Sequence, residues 1–574
     1  MISILLSWII ITFTLYTTGR VFINLYNRIT AQTETYGFID QIIVGMTAII
    51  IPLSIWSLFL PSNHIFLFII FSLCCCYYLV EVFKKKSFPP LKRFLYNFTS
   101  KEIIIYLIIS VVFITYCLWQ PDVYDSLHYH YQNIRWNEEF AIVPGLANIE
   151  DRFGFNSNIL LLQSIYTLRF LFNKDIYTLN QLFVLLIFIW LIRQWIRSRY
   201  RMMETLFLSG FMISSLLSII FINNTSTDIL PNTIIYYLIS RFCIFGFDWK
   251  NSKLLLFTTP FLLITFKLSF AIFGIVSLCI FIYLIKEKKI KSTLFLSVTS
   301  AIILICWLIR NIIISGYLVY PLYQIDLFDV DWKLPIDAAQ SQLEYIEIVG
   351  KQFFKVQAIE LMQTYRDPQL VDFGIFILYS SLYITTPIAI YKYIKKRKEI
   401  PASFIVVIAC LVATVISWFF SGPDFRFVPY IMGIILITNL TIIFKTQNLY
   451  LNNKLAYIIP STFLIIITIY TITYYSNLKN NLIEKELYKS SSINNILCTP
   501  YTIIDFYKDS YTTDQAKPKY RLNENVVFYI REDSYDYDKF PLVPDLHYGN
   551  FTSYYLFEAR GNTYQDGFKA KENK

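Results

Sequence analysis

The sequence predicts an α-helical polytopic membrane protein, and three observations carry that prediction. The 574-residue chain is 56% hydrophobic and only 16% charged, against roughly 25% charge in a typical soluble domain. Apolar runs recur along most of its length. The Lys/Arg excess behind its net charge of +10 is spread over short segments between those runs, which is membrane-topology patterning rather than a nucleic-acid patch.

A helix crossing about 30 Å of hydrocarbon needs about 20 apolar residues. On that rule we expect fourteen spans, near 2–18, 38–60, 64–83, 102–119, 176–195, 204–222, 230–246, 254–268, 270–285, 293–312, 371–391, 402–421, 425–444 and 455–475. The first run lacks a basic leader and a small-residue cleavage site, so it reads as a retained span. Clusters at Lys84–Lys86, Arg197–Arg201, Lys250/Lys253, Lys286–Lys291 and Lys392–Lys398 mark the cytoplasmic side. That parity holds only if residues 155–172 lie along the outer face and 254–285 enter and leave as two short helices turning near Lys267. The N-terminus, loop 120–175, the stretch around Asp228, loop 313–370, the Gly422–Phe427 turn and the C-terminal tail then all lie outside.

Three regions follow. Residues 1–101 hold the N-terminal spans, 102–475 the transmembrane core with its two long outer loops, and 476–574 a small α+β extracytoplasmic domain. The tail is rich in Tyr, Asn and Asp, and within it 525–530 reads as a strand. Eight of the nine cysteines fall in apolar runs, so no disulfide framework is expected. No P-loop, nucleotide-binding glycine motif or HExxH occurs, which argues against a cytoplasmic ATPase or a zinc protease.

Ionisable groups kept at a membrane boundary point to chemistry there. The polar loop 122–136 carries Asp122, Asp125 and two of the four histidines, His128 and His130. On a helix, Asp125, His128, Tyr129 and Gln132 share one face. A carboxylate there would serve as a general base, or would merely cap a helix and keep the loop soluble. Glu138, Glu139, Glu150 and Asp151 read as solvated loop charges. Lys267 lies within an apolar stretch; it either snorkels at a span end or supplies a cation for a phosphate. Arg426 and Arg310 sit at outer edges, where the positive-inside bias makes arginine less expected, and each offers a planar fork for phosphate. Asp424 is the alternative partner of Arg426. Asp228 starts a span and is explained by helix capping or as a second acid.

The order of these pieces resembles the GT-C class of membrane glycosyltransferases, and more closely a bacterial multi-spanning family usually left uncharacterised within that class. The matching positions in the first outer loop are Asp125, Tyr129, His130, Trp136, Val143–Leu146, Asn148, Arg152, Asn156 and Ser157. Further matches are Phe266–Ser269, Arg310–Pro321, Gly422–Phe427, Leu497–Tyr501 and Arg560–Phe568, with Gly422 in place of an expected Ala and Leu318 in place of Pro.

The resemblance implies a GT-C-like fold in the bacterial cytoplasmic membrane and transfer from a polyprenyl-phosphate-linked sugar to a glycan or lipid acceptor, with inversion. Asp125 would be the base, with Asp122 and Asp228 as further acids and His130 or Tyr129 orienting the acceptor. Lys267, Arg426 and Arg310 would stabilise the phosphate, and Arg152 and Asn156 would bind substrate. No metal is required for a monophosphate leaving group, although some members of the class use a divalent cation. The rival readings are a transporter or flippase for lipid-linked glycans, a polysaccharide polymerase or ligase using a diphosphate donor, and a membrane scaffold.

Overall fold

A computed structural model describes residues 1–85, 99–118, 123–246, 249–358, 370–395, 402–444, 449–484, 497–498, 519–530, 539–543 and 557–571. Asp122 and most of the Leu497–Tyr501 motif lie outside the described residues.

The chain is mostly helical. Its long elements are α1 (Ile2–Thr30), α2 (Phe38–Trp56), α3 (His64–Lys85), α4 (Ser100–Cys117), α5 (Tyr131–Glu139), α6 (Asn158–Ser164), α7 (Leu179–Arg197), α8 (Met202–Leu217), α9 (Ile229–Phe245), α10 (Lys253–Phe266), α11 (Gly274–Lys286), α12 (Ile290–Ser315), α13 (Ile336–Ala358), α14 (Leu370–Lys395), α15 (Ala402–Ser421), α16 (Pro429–Phe444) and α17 (Asn453–Glu484). Among the described residues nine helices are long and apolar enough to cross a membrane. Each predicted span falls on a helix. Five of them, α4, α8, α9, α10 and α16, run only 14 to 18 residues, and at 1.5 Å per residue such helices cover roughly 21–27 Å. Large apolar side chains stay exposed along the bundle, such as Leu73, Phe83, Leu278, Ile377 and Ile469. A contiguous exposed apolar surface of that extent belongs in lipid.

Two expectations need correction. The first helix does not end near residue 18 but continues to Thr30, closing at Ala31 in the left-handed conformation. Close packing on α2 carries it through Gly19: a Cβ there would sit 1.8 Å from the Gln41 carbonyl, and one at Gly45 1.8 Å from that of Leu15. Residues 155–172 do not lie as one helix along a face. Every residue of α6 is buried, where it packs against α5, α2 and α10. Only the short turn Arg169–Phe172, entered through a left-handed Leu168, is free of buried residues.

The tail forms two small sheets. In the first, β1 (Lys519–Arg521) pairs antiparallel with β2 (Val527–Ile530), which pairs parallel with β3 (Leu542–Val543). In the second, β4 (Phe557–Ala559) pairs antiparallel with β5 (Phe568–Ala570). The predicted strand at 525–530 is thus present as β2. The sheets share one core with the loops: Phe528, Phe557 and Phe568 pack with Trp136, Val143, Leu146, Phe153, Tyr317 and Tyr320. Backbone contact seals the junction. Phe568 N donates to Pro144 O at 2.9 Å, and Gly145, at φ +64°, lies so close that a Cβ would sit 2.0 Å from Phe568 O. Gln132 on α5 clasps the tail twice, donating to Lys539 O at 2.7 Å and accepting from Leu542 N at 3.1 Å. Arg560 closes the same junction through Asp331 at 2.8 Å and the face of Trp332.

Candidate functional site

Four segments meet at the loop end of the bundle. The first is the turn Ser126–His130, a π-helix running into α5; such bulges recur at functional sites. The second is residues 223–228 before α9. Asn180 holds it by donating to the Asn224 and Ser226 carbonyls at 2.9 and 2.8 Å, and Thr225 Oγ1 joins it to Ser126 at 3.1 Å. The third is the break after α10, where Lys267 turns extended. The Phe266 carbonyl, freed at that helix end, accepts from Ser157 Oγ at 2.7 Å, which is how a helix terminus inside the protein is satisfied. The fourth is the Asp424–Phe427 turn, fixed by Trp418 Nε1 on Asp424 O at 2.7 Å and by Asn232 Nδ2 on Phe427 O at 2.9 Å. Gly350 of α13 lies against Gly422, and a Cβ on Gly422 would come within 3.0 Å of Ile346, so the close helix favours glycine where alanine was expected.

These segments bring five predicted or considered charges together. Arg426 Nη1 donates to Asp125 Oδ2 at 2.7 Å and its Nε faces Asp424 Oδ2 at 2.7 Å. Asp424 is itself held by the Arg426 backbone N–H at 2.9 Å. Lys267 pairs with Asp228 and lies 3.6 Å over the Phe427 ring. The Asp125 and Arg426 side chains stay 26% and 27% exposed, so the cluster is reachable. Burial pushes the Asp125 carboxyl up, but Arg426 first, and then His130, Arg152 and Lys267, outweigh it and hold it below the ordinary carboxylate range. Asp228 is therefore not a side-chain cap: α9 begins after it without a capping bond from its carboxylate, which serves Lys267 instead.

His130 and Arg152 stand beside this cluster. His130 is 3% exposed, and neither ring nitrogen has a hydrogen-bond partner among the described residues. Burial, together with the nearby cations Arg426, Lys267 and Arg152, pushes its pKa down to about 4 against the pull of Asp125. It is neutral at pH 7, with one donor and one acceptor to offer. Arg152 lies over the rings of Tyr124, Tyr129 and Tyr345, at 5.4, 5.6 and 5.7 Å. Tyr345 escapes a sequence reading because 313–370 reads as an outer loop; it belongs to α13, a 23-residue helix. Phe427 closes the Gly422–Phe427 motif, but its role under Lys267 is set by the fold and carries no signal in the sequence.

Other predicted residues fall elsewhere. Arg310 is 3% exposed and donates to Asn156 Oδ1 at 3.0 Å, Ser57 Oγ at 2.7 Å and Asn137 Oδ1 at 2.9 Å. Asn156, left-handed at φ +45°, in turn donates to Trp307 O at 3.1 Å and Asn311 Oδ1 at 2.8 Å. The two residues predicted to bind substrate or phosphate are thus committed to each other and to fixing the loop on α12. Glu138, Glu150 and Asp151 are not solvated: they are 7%, 3% and 1% exposed. Glu138 accepts from Thr167 Oγ1 at 2.7 Å and Arg169 Nε at 3.0 Å, because the loop folds under itself. Glu139 does stay exposed, beside Arg135 at 2.8 Å.

An apolar cavity of about 420 Å³ lies between α9, α10, α11 and α15, lined by residues such as Ile239, Leu263, Phe273, Ile280 and Val406. Two of its lining residues, Leu263 and Phe273, lie four and six residues from Lys267 on either side of the break, and the lining runs from there to Tyr283 and Lys286. Among the described residues no group of three or more His, Cys, Asp or Glu could hold a metal ion.

No curated protein and no solved structure matches the chain. A family model, a domain of unknown function (DUF8201), matches residues 1–433. That stretch contains the first loop, both cations of the cluster and all three of its carboxylates, and by this match the chain belongs to the DUF8201 family.

Proposed function

We propose that this chain is a GT-C-like membrane glycosyltransferase that moves a sugar from a polyprenyl-phosphate donor to a hydroxyl of a cell-surface glycan or lipid, on the outer side of the bacterial cytoplasmic membrane. One observation carries the reading. A reachable carboxylate, Asp125, is bonded to an arginine, with a second cation, Lys267, close by, and the helices on either side of Lys267 line an apolar cavity through Leu263 and Phe273. An amphiphile with an anionic head matches that combination: hydrocarbon in the cavity and phosphate at the cations.

The chemistry follows from the placement. Asp125 takes the proton of the acceptor hydroxyl. The oxygen bonds the anomeric carbon as the bond from that carbon to the phosphate oxygen breaks, and the electron pair leaves on the phosphate. Attack from the face opposite the phosphate inverts the centre. Arg426 and Lys267 meet the growing negative charge, and such preorganised electrostatic stabilisation is commonly the largest catalytic contribution. Neutral His130 suits orientation of a hydroxyl. The short α10–α11 hairpin and the positive clusters support the topology with loop and tail outside.

The test is complementation of a deletion strain by wild type and by Asp125→Asn at matched membrane expression. We expect wild type to restore the surface glycan and Asp125→Asn to leave the lipid-linked donor accumulating. Full complementation by Asp125→Asn would remove Asp125 as the base and favour a transporter.

A further inference from the structure

The two partners of Arg426 differ in kind. Asp424 is two residues away, accepts the Arg426 backbone N–H and is 5% exposed, so it is locked to the same turn. Asp125 comes from a segment 301 residues distant and reaches Arg426 through one hydrogen bond, from a side chain 26% exposed. Arg426 Nη1 is thus already occupied by a carboxylate, and by the more exposed of its two partners.

The charge count sharpens this. Asp125, Asp228 and Asp424 stand as three carboxylates paired with two cations, Arg426 and Lys267, while the third nearby cation, Arg152, is matched by Glu150 at 3.7 Å. An added phosphodiester makes four against two, an arrangement in which like charges oppose binding. If one carboxylate leaves as the phosphate arrives, the balance is unchanged. The Asp228 side chain is 11% exposed and that of Asp424 7%, against 26% for Asp125, which leaves Asp125 as the one with room to move.

We infer that Asp125 and the donor phosphate compete for Arg426 Nη1, so that a singly charged phosphodiester displaces Asp125 one for one and in doing so releases it to act as base. This rests on the proposed phosphate-linked donor. The exchange links two events that a transferase must keep together. While bonded to Arg426, Asp125 is a weak base, and once free in the same buried surroundings it gains affinity for a proton. An acceptor arriving before the donor finds no active base. A diphosphate carries more charge than one carboxylate gives up, so the exchange also selects against diphosphate-linked donors.

The experiment measures binding of farnesyl methyl phosphate, a singly charged phosphodiester, and of farnesyl diphosphate to the full chain in detergent, for wild type, Asp125→Asn, Asp125→Ser and Arg426→Lys. Two different neutral replacements at 125, each checked for unchanged elution and melting temperature, guard against a misfolded variant. We expect both Asp125 variants to bind the phosphodiester about tenfold more tightly than wild type, as removal of one competing charge at a partly exposed arginine implies. Arg426→Lys should bind it more weakly, and wild type should prefer the phosphodiester to the diphosphate. If wild type binds but both Asp125 variants bind equally or more weakly, the exchange is wrong while the phosphate reading stands. If none of the four binds either compound, the phosphate reading falls with it.

Discussion

Arg310 and Arg426 stand at equally prominent places in the sequence, yet they serve opposite ends. Arg310 gives each guanidinium nitrogen to a neutral oxygen, from Asn156, Ser57 and Asn137, and is 3% exposed. Arg426 faces two carboxylates and remains 27% exposed. A buried arginine held by three neutral acceptors is fixed and closed to ligands, and the loop is built upon it. A reachable arginine held by carboxylates is held by groups that an anion can replace. Partner chemistry and access, rather than residue type or motif, separate architecture from function here.

That contrast is open to direct attack. The largest effect should come from Arg426→Ala: the proposed sugar transfer should fall about 10³-fold, the scale for losing one preorganised oxyanion donor, while the melting temperature of the purified protein stays within a few degrees. Arg310→Met should do the reverse. It leaves two buried acceptors and one half-buried acceptor without their donor and costs about 3 kcal/mol, read as lower stability and lower folded yield. Loss of stability in the first variant or its preservation in the second would collapse the distinction.

Gly145→Ala tests the seam between loop and tail. The φ of +64° and the 2.0 Å approach to Phe568 O imply a cost of about 2–3 kcal/mol. Proteolysis of the tail should accelerate; an unchanged digestion rate would show that the seam is not tight. His130 sharpens the comparison through pH. Its pKa of about 4 in the fold lies below the ordinary 6.5, so between those values the unfolded chain binds the proton first. Stability is then full above pH 6.5 and falls as pH drops toward 4, by about 2 kcal/mol at pH 5. Melting temperatures of His130→Gln and wild type at pH 5 and pH 7 check the sign, since the variant should lose less between the two. The smallest effect is expected from Gln132→Ala, which removes both bonds to the tail for about 1–2 kcal/mol; protection of the Leu542 amide from hydrogen exchange should drop.

Much of the helical framework was legible in the sequence because apolar runs of membrane length have few other uses. The hairpin turning at Lys267 was legible too, since two basic clusters flank an apolar stretch only long enough for two short helices. The pairing of Asp424 with Arg426 could be read from their spacing. The burial of Glu138, Glu150 and Asp151 could not, because polarity predicts solvent only when nothing folds over it. Nor could the meeting of Pro144 with Gly567 and Phe568, which depends on backbones separated by more than 400 residues.

By itself, then, the sequence determined that this is a helical membrane protein, and it marked the residues whose charge is costly at a membrane boundary. Both follow from local quantities: hydrophobicity, length and charge. Only the tertiary structure decided which of those residues share a site. Asp125 and Arg426 are 301 positions apart, and no local pattern encodes their contact. The packing of the π-turn, the Lys267 break and the Asp424–Phe427 turn against one another sets that contact, and the same packing removes Arg310 and Asn156 from the site.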